Sequence, residues 1–316
     1  MQSEMNLAST LLPADMRVLE RGWLSSNNIV CLGDEPCVID TGHTKHAGET
    51  VTLLRDVLGD QALVTIAHTH LHSDHCGGTG ALQAAWPDAS TWVPLPSLSH
   101  VQTWDQDALT FGGTGQRCDV FTASDALIPG NTVRLGNHHW EIHSAPGHDA
   151  LAVLLFEPEH GLLISGDAMW ESSVGVIFQH IEGTGSFDTY ADTLALIEKL
   201  SPRVVIPGHG APFARDDGAI DAAFASARKR IEYFKDNPAQ HAAHAAKVMI
   251  KYQMMDFETL PRAEFDVWLN SMPLLAVLHQ QHRPDVPWND WLESVLEPMF
   301  SKGVLRRNAT HVMNGD

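Results

Sequence analysis

Residues 67–78 read AHTHLHSDHCGG, and within them His68, His70, His72, Asp74 and His75 crowd into eight positions. Imidazole nitrogens and carboxylates are the donors from which zinc and related divalent sites are built. On an extended segment, side chains two residues apart project the same way, so His70 and His72 can share one ion. Asp74 and His75 then turn toward a second position. So many polar side chains at the end of a buried strand are costly unless a cation satisfies them. A lone histidine would read as a surface residue; three with an aspartate at these spacings read as a metal cluster.

Such a cluster needs rigid elements behind it. NIVCL and PCVID read as strands joined by GDE, a hairpin connection containing Gly33. AGETVTLLRDVLG follows with Val51, Leu54 and Leu58 at helical spacing and Gly59 placed to end it. ALVTIA is a strand leading into the histidines, GALQAAWPD a short helix closed by Pro87, and STWVPL another strand. Residues 126–167 are strand-like throughout, with EPEHG as a hairpin turn. SFDTYADTLALIEKL reads as a helix capped by Ser186 or Asp188, with Leu194, Ile197 and Leu200 on one face. RVVIPGHG closes this part as a strand running into a loop. Two β-rich halves, each followed by helices, predict two layered sheets.

Beyond residue 213 the pattern becomes helical: GAIDAAFASARKRIEYFKDN, AQHAAHAAKVMIKYQMMD, PRAEFDVWLNSMPLLAVLHQQ and PWNDWLESVLEPMFSKG, then a short strand-like tail, VLRRNATHV. The expected organisation is a first, β-rich domain over 1–212 carrying the histidine cluster and a helical extension over 213–316, either a plain helical cap or a winged-helix-like module. No internal repeat or low-complexity linker separates them.

At 316 residues, 44% hydrophobic and 19% charged, the chain can bury a large core. Its net charge of −19 is uneven: residues 1–212 carry 8 Lys and Arg against 25 Asp and Glu, whereas 213–316 carry 12 against 14. An acidic field repels phosphate backbones, which argues against a nucleic-acid partner, and bound cations would offset part of it. Cys31, Cys37, Cys76 and Cys118 form no CxxC pair, so free thiols are expected rather than disulfides or a zinc ribbon. No apolar run approaches the roughly 18 residues of a membrane span, and the opening segment lacks a basic n-region and a continuous apolar stretch. A cytoplasmic protein without a membrane partner is expected, with self-association left open.

Five motifs now stand in order: VIDTG, HTHLHSDH, SAPGHD, ISGDAMW and VVIPGHG, each at the end of an expected strand. In this order they resemble the metallo-β-lactamase superfamily of metal-dependent hydrolases over roughly residues 20–212, on the hydroxyacylglutathione hydrolase and lactonase-like side. The resemblance implies an α/β (α+β) fold, a four-layer αββα sandwich, here with a mainly α-helical C-terminal extension. It also implies a binuclear site. His70, His72 and His148 would hold one metal, Asp74, His75 and His209 the second, and Asp167 would bridge them. Asp40 would orient these ligands through hydrogen bonds. Zinc is the expected metal, with iron and manganese as the other candidates.

The implied chemistry is hydrolysis of a small ester, thioester or lactone by a metal-bridging hydroxide, with Asp74 handling its proton. Asp167 argues against dedicated β-lactam hydrolysis, since the class B β-lactamases lack the bridging aspartate. His72 stands where the flavo-diiron branch has Glu. An iron-dependent oxidoreductase resembling persulfide dioxygenases is the alternative, and in it His75 and His209 would bind no metal. Phosphodiesterases or nucleases of the same superfamily, and a regulatory module with a structural metal, complete the alternatives.

His68, His100, His138, His139, His143 and His180 match no ligand position, so surface or ordinary hydrogen-bonded roles are expected. Cys76 is expected to be a small buried residue. Trp104, Phe111, Met169, Trp170 and Phe178 are candidates for an apolar pocket wall or for core packing. Arg228, Lys229 and Arg230 read as a solvated helix face.

Overall fold

The computed structural model describes residues 7–172, 174–178 and 187–315. Two six-stranded sheets are laid down one after the other along the chain. The first has the order β1 (Met16–Leu19), β2 (Asn28–Cys31), β3 (Cys37–Ile39), β4 (Thr65–Ala67), β5 (Ser90–Pro94) and β6 (Asp125–Leu127). β1 to β3 are antiparallel neighbours, and β3 to β6 run parallel. The second has β7 (Thr132–Leu135), β8 (His138–Ser144), β9 (Val153–Glu157), β10 (Leu162–Gly166), β11 (Val204–Pro207) and β12 (Phe213–Ala214), with only β10 and β11 parallel.

Alternation along the strands explains the layering. Ile29, Cys31 and Ile39 point from the first sheet into a core shared with Trp140, Ile142, Leu155, Ile164 and Ile206 of the second. Val30, Val38 and Ile66 point the other way, onto Leu54 and Leu58 of the Ala47–Leu58 helix and Leu82 of the Thr79–Ala85 helix. The Phe187–Leu200 helix buries Phe187, Tyr190, Leu194 and Ile197. The result is a four-layer αββα sandwich, with Gly59 (φ 58°) ending the first helix as expected. The Phe187–Leu200 helix starts one residue before Asp188, which therefore lies in its first turn rather than capping it; Ser186 falls outside the described residues.

The chain divides into two compact units, residues 1–109 with 117–232, and 110–116 with 233–316. Residues 213–232 cluster with the first unit, and within them β12 pairs with β11 at the edge of the second sheet. The second unit holds the helices Pro238–Phe257, Arg262–Ser271, Pro273–His282 and Trp288–Ser301. Its three-stranded antiparallel sheet has the order β13 (Thr259–Pro261), β15 (His311–Asn314), β14 (Leu305–Arg307). Lys251 ties that sheet to its longest helix through Asn314 Oδ1 at 2.7 Å and Gly315 O at 2.8 Å. The third helical segment expected from the sequence is two helices. Pro273 forces Met272 into an extended conformation (ψ 111°) and starts a new helix.

Candidate metal centre

Strand register brings the polar motifs to one edge. β3 and β4 are parallel with Ile39 opposite Ala67, so Asp40 and His68 leave the first sheet side by side. β10 and β11 are parallel with Gly166 opposite Pro207, so Asp167 emerges beside His209. His148 lies in the β8–β9 connection, and Val153 N–H donates to Thr69 O at 2.9 Å. The edges are stitched by Ser26 N–H to Asp74 O (2.9 Å) and by Asn27 Nδ2 to Pro207 O (3.0 Å) and Gly210 O (2.7 Å).

His70, His72 and His148 converge in the first of two donor groups. His72 Nδ1 lies 3.1 Å from His70 Nε2 and 2.8 Å from His148 Nε2. Ligands on a tetrahedral ion with bonds of about 2.0–2.1 Å sit about 3.3 Å apart, so this spacing suits a shared cation. His148 Nδ1–H donates to Val176 O at 2.7 Å, which leaves Nε2 with a free lone pair. Burial pushes His70 well below the usual imidazole range and His72 and His148 down to about 4, so all three are neutral at pH 7.

Asp74, His75, Asp167 and His209 form the second group. His209 Nε2 is 3.0 Å from Asp74 Oδ2, and His75 Nε2 is 3.3 Å from Asp167 Oδ1. Asp167 also reaches the first group, with Oδ2 at 3.5 Å from His148 Nε2. His75 Nε2 is buried and makes no hydrogen bond among the described residues, an orphan donor position facing the carboxylates. Its other nitrogen, Nδ1, meets Asp40 Oδ2 at 2.8 Å. Burial opposes protonation of His75, but Asp167, Asp40 and Asp74 outweigh it and raise its pKa well above the usual value. Burial would raise Asp74 as well; His75 and the bond from His209 overcome it and hold the carboxyl down to about 2. A cation in this group would take the place of the extra proton. The donor set therefore fits divalent ions.

Asp40 occupies φ 58° at the end of β3. It accepts from Thr69 N (2.9 Å) and Thr69 Oγ1 (2.8 Å) as well as facing His75. Gly208 passes so close to Asp167 and His75 that any Cβ there would collide with both. The seven candidate ligands and Asp40 are thus gathered at one edge.

Of the other histidines, His68 is fully buried, with Nε2 3.0 Å from Thr79 Oγ1 and Nδ1 3.6 Å from Asp40 Oδ1. His143 pairs with Glu141, and His180 lies outside the described residues. Cys76 is buried, 3.7 Å from Cys118 Sγ, and among the described residues all four cysteines are free. Phe178 packs against His72 (5.1 Å between ring centroids) and His148 (5.4 Å). Trp170 packs against His209 at 5.6 Å and donates its Nε1–H to Asp167 Oδ1 at 3.2 Å. Met169 is core, and Trp104 packs on Phe121 instead. Arg228 pairs with Glu198 on an exposed helix face.

Sequence reasoning passed over Trp23. Its ring stacks on His209 at 5.4 Å and meets Trp170 edge-on at 5.4 Å, yet it remains 60% exposed. The only signal was an aromatic residue in the polar stretch RGWLSSN.

Comparison with known proteins agrees with this architecture. The sequence profile of the metallo-beta-lactamase superfamily matches residues 21–209. The chain is 25% identical over 154 residues to a hydroxyacylglutathione hydrolase of Legionella pneumophila (strain Lens), covering 48% of this chain and 50% of that protein. It is 24% identical over 163 residues to the acyl-coenzyme A thioesterase MBLAC2 of Gallus gallus, covering 49% and 58%. The chain spans about half the length of the curated relatives it matches. Among solved structures, a metallo-beta-lactamase family protein from Thermus thermophilus aligns with a TM-score of 0.54 at 19% identity, covering 96% of this chain and 99% of that one. That likeness is one of fold.

Proposed function

The chain belongs to the metallo-β-lactamase superfamily, and on that premise we propose that it is a binuclear metal-dependent hydrolase of a small ester, thioester or lactone. The observation that carries this reading is Asp167, within 3.3 Å of His75 in one donor group and 3.5 Å of His148 in the other. His70, His72 and His148 would hold one ion, Asp74, His75 and His209 the other, with Asp167 between them. Mixed imidazole and carboxylate donors suit zinc better than the oxygen-rich sets preferred by manganese. Ions held by these residues would supply Lewis-acid chemistry, lowering the pKa of a bound water from 15.7 to about 7.

The chain's own residues do the rest. Asp74 stays ionised beside His209 and can accept the proton of an attacking water. Asp40 fixes the His75 ring so that Nε2 faces the site. Trp23 and Trp170 offer an apolar wall for the acyl part of a substrate. A thioester ranks first among substrates, because a hydroxyacylglutathione hydrolase and an acyl-coenzyme A thioesterase are both relatives.

In the single-iron oxidoreductase reading, His75 and His209 would bind no metal; their grouping with Asp74 and Asp167 favours the binuclear one. Elemental analysis of protein purified without added metal or chelator separates the two. At least two zinc per chain are expected, with turnover in a panel of thioesters, lactones and phosphodiesters. About one iron with no second metal, and oxygen uptake with persulfides, would replace the hydrolase reading.

A further inference from the structure

At the opposite end of the second sheet lies another cluster of donors. β9 begins at Val153, bonded to Thr69 beside the metal centre, and ends at Glu157 about 13 Å away at roughly 3.3 Å per residue. There, ligand atoms of His138, Glu157 and His160 lie within 4.8 Å of one another. The Glu157 side chain is 2% exposed, with no Lys or Arg beside it among the described residues. Among the described residues its carboxylate accepts only from Glu159 N (3.1 Å), His160 N (2.8 Å) and His160 Nδ1 (3.1 Å). A buried carboxylate needs a counter-charge, and histidines are the groups at hand.

His138 supplies an independent observation. It is 8% exposed, and its Nε2 meets Asp15 Oδ1 at 3.0 Å. Its Nδ1 has no hydrogen-bond partner among the described residues. A carboxylate on one imidazole nitrogen, with the other nitrogen left open, is the arrangement that orients a metal-ligating histidine. His160 sits in the β9–β10 turn, and its side chain is 41% exposed, which gives an ion a way in from solvent.

We propose that His138, Glu157 and His160, with Asp15 orienting His138, form a separate structural site for a borderline divalent cation such as zinc. Two imidazoles and a carboxylate match that class of ion and disfavour calcium and magnesium, which take oxygen ligands. Once filled, the site ties the segment before β1 to β8 and to the β9–β10 turn.

The test is equilibrium dialysis of the full chain against zinc, comparing wild type with His160→Ala and His138→Ala. Each variant should bind one zinc fewer per chain, whatever number the Asp167 centre holds, so the result does not depend on the hydrolase reading. Turnover of any substrate found should be unchanged. Asp15→Asn should keep the stoichiometry but weaken this zinc about 10- to 100-fold. His160→Ala alters an exposed turn and keeps the test valid should His138→Ala fail to fold. Equal zinc stoichiometry and affinity in wild type and His160→Ala would overturn the proposal.

Discussion

Asp40 holds a left-handed backbone conformation at the end of β3, and such conformations cost non-glycine residues roughly 1–3 kcal/mol. The strain is offset because its two carboxylate oxygens together take Thr69 N, Thr69 Oγ1 and His75 Nδ1. An amide in its place has one acceptor oxygen and cannot serve all three. Asp40→Asn should therefore weaken metal binding and lower kcat by about 10- to 100-fold, with far-UV circular dichroism unchanged. Undiminished zinc affinity and turnover would leave Asp40 with a folding role alone. In the proposed reading Trp23 acts on substrate rather than on metal. Loss of an exposed stacking surface worth about 0.5–1.5 kcal/mol should raise KM by about 3- to 10-fold in Trp23→Ala while kcat and zinc content hold. A fall in kcat at constant KM would place the ring in the chemistry instead.

At the scale of elements, parallel pairing does the positioning. Because β3 and β4, and then β10 and β11, finish in register, each pair delivers two polar side chains to the same edge. The β10–β11 edge works only because Gly208 lets the chain pass against the Asp167 carboxylate and the His75 ring. Gly208→Ala should push both aside, and kcat/KM should drop at least tenfold although strands and helices persist; initial-rate assays beside circular dichroism would show it. Wild-type turnover in that variant would mean that neither side chain matters at its present position. Most of these elements were legible in the sequence, because their periodicity is local. The break at Pro273 was carried in the sequence too, yet the apolar pattern on both sides read as one helix.

The whole molecule carries a net charge of −19, and its candidate metal centre gathers Asp74, Asp167 and Asp40 at one edge of the sandwich. Cations bound there stabilise the folded chain by mass action, by about 4 kcal/mol when the free ion is 1,000 times its Kd. Chelation should then lower the Tm by about 10 °C and added zinc should restore it, as read by scanning fluorimetry. A Tm indifferent to chelator and zinc would remove the metal from the account of stability. No helix among the described residues is long and apolar enough to cross a membrane. The sequence by itself determined the donor chemistry of HTHLHSDH, the strands that end in the five motifs and, through the motif order, the family. Spacing and donor type are local properties, so they survive without coordinates. Only the tertiary structure decided that Trp23 lies on His209, that residues 213–232 join the first unit, and that His138 meets Glu157 and His160. Those meetings depend on sheet register and loop closure between residues far apart in the chain, and no local pattern encodes them.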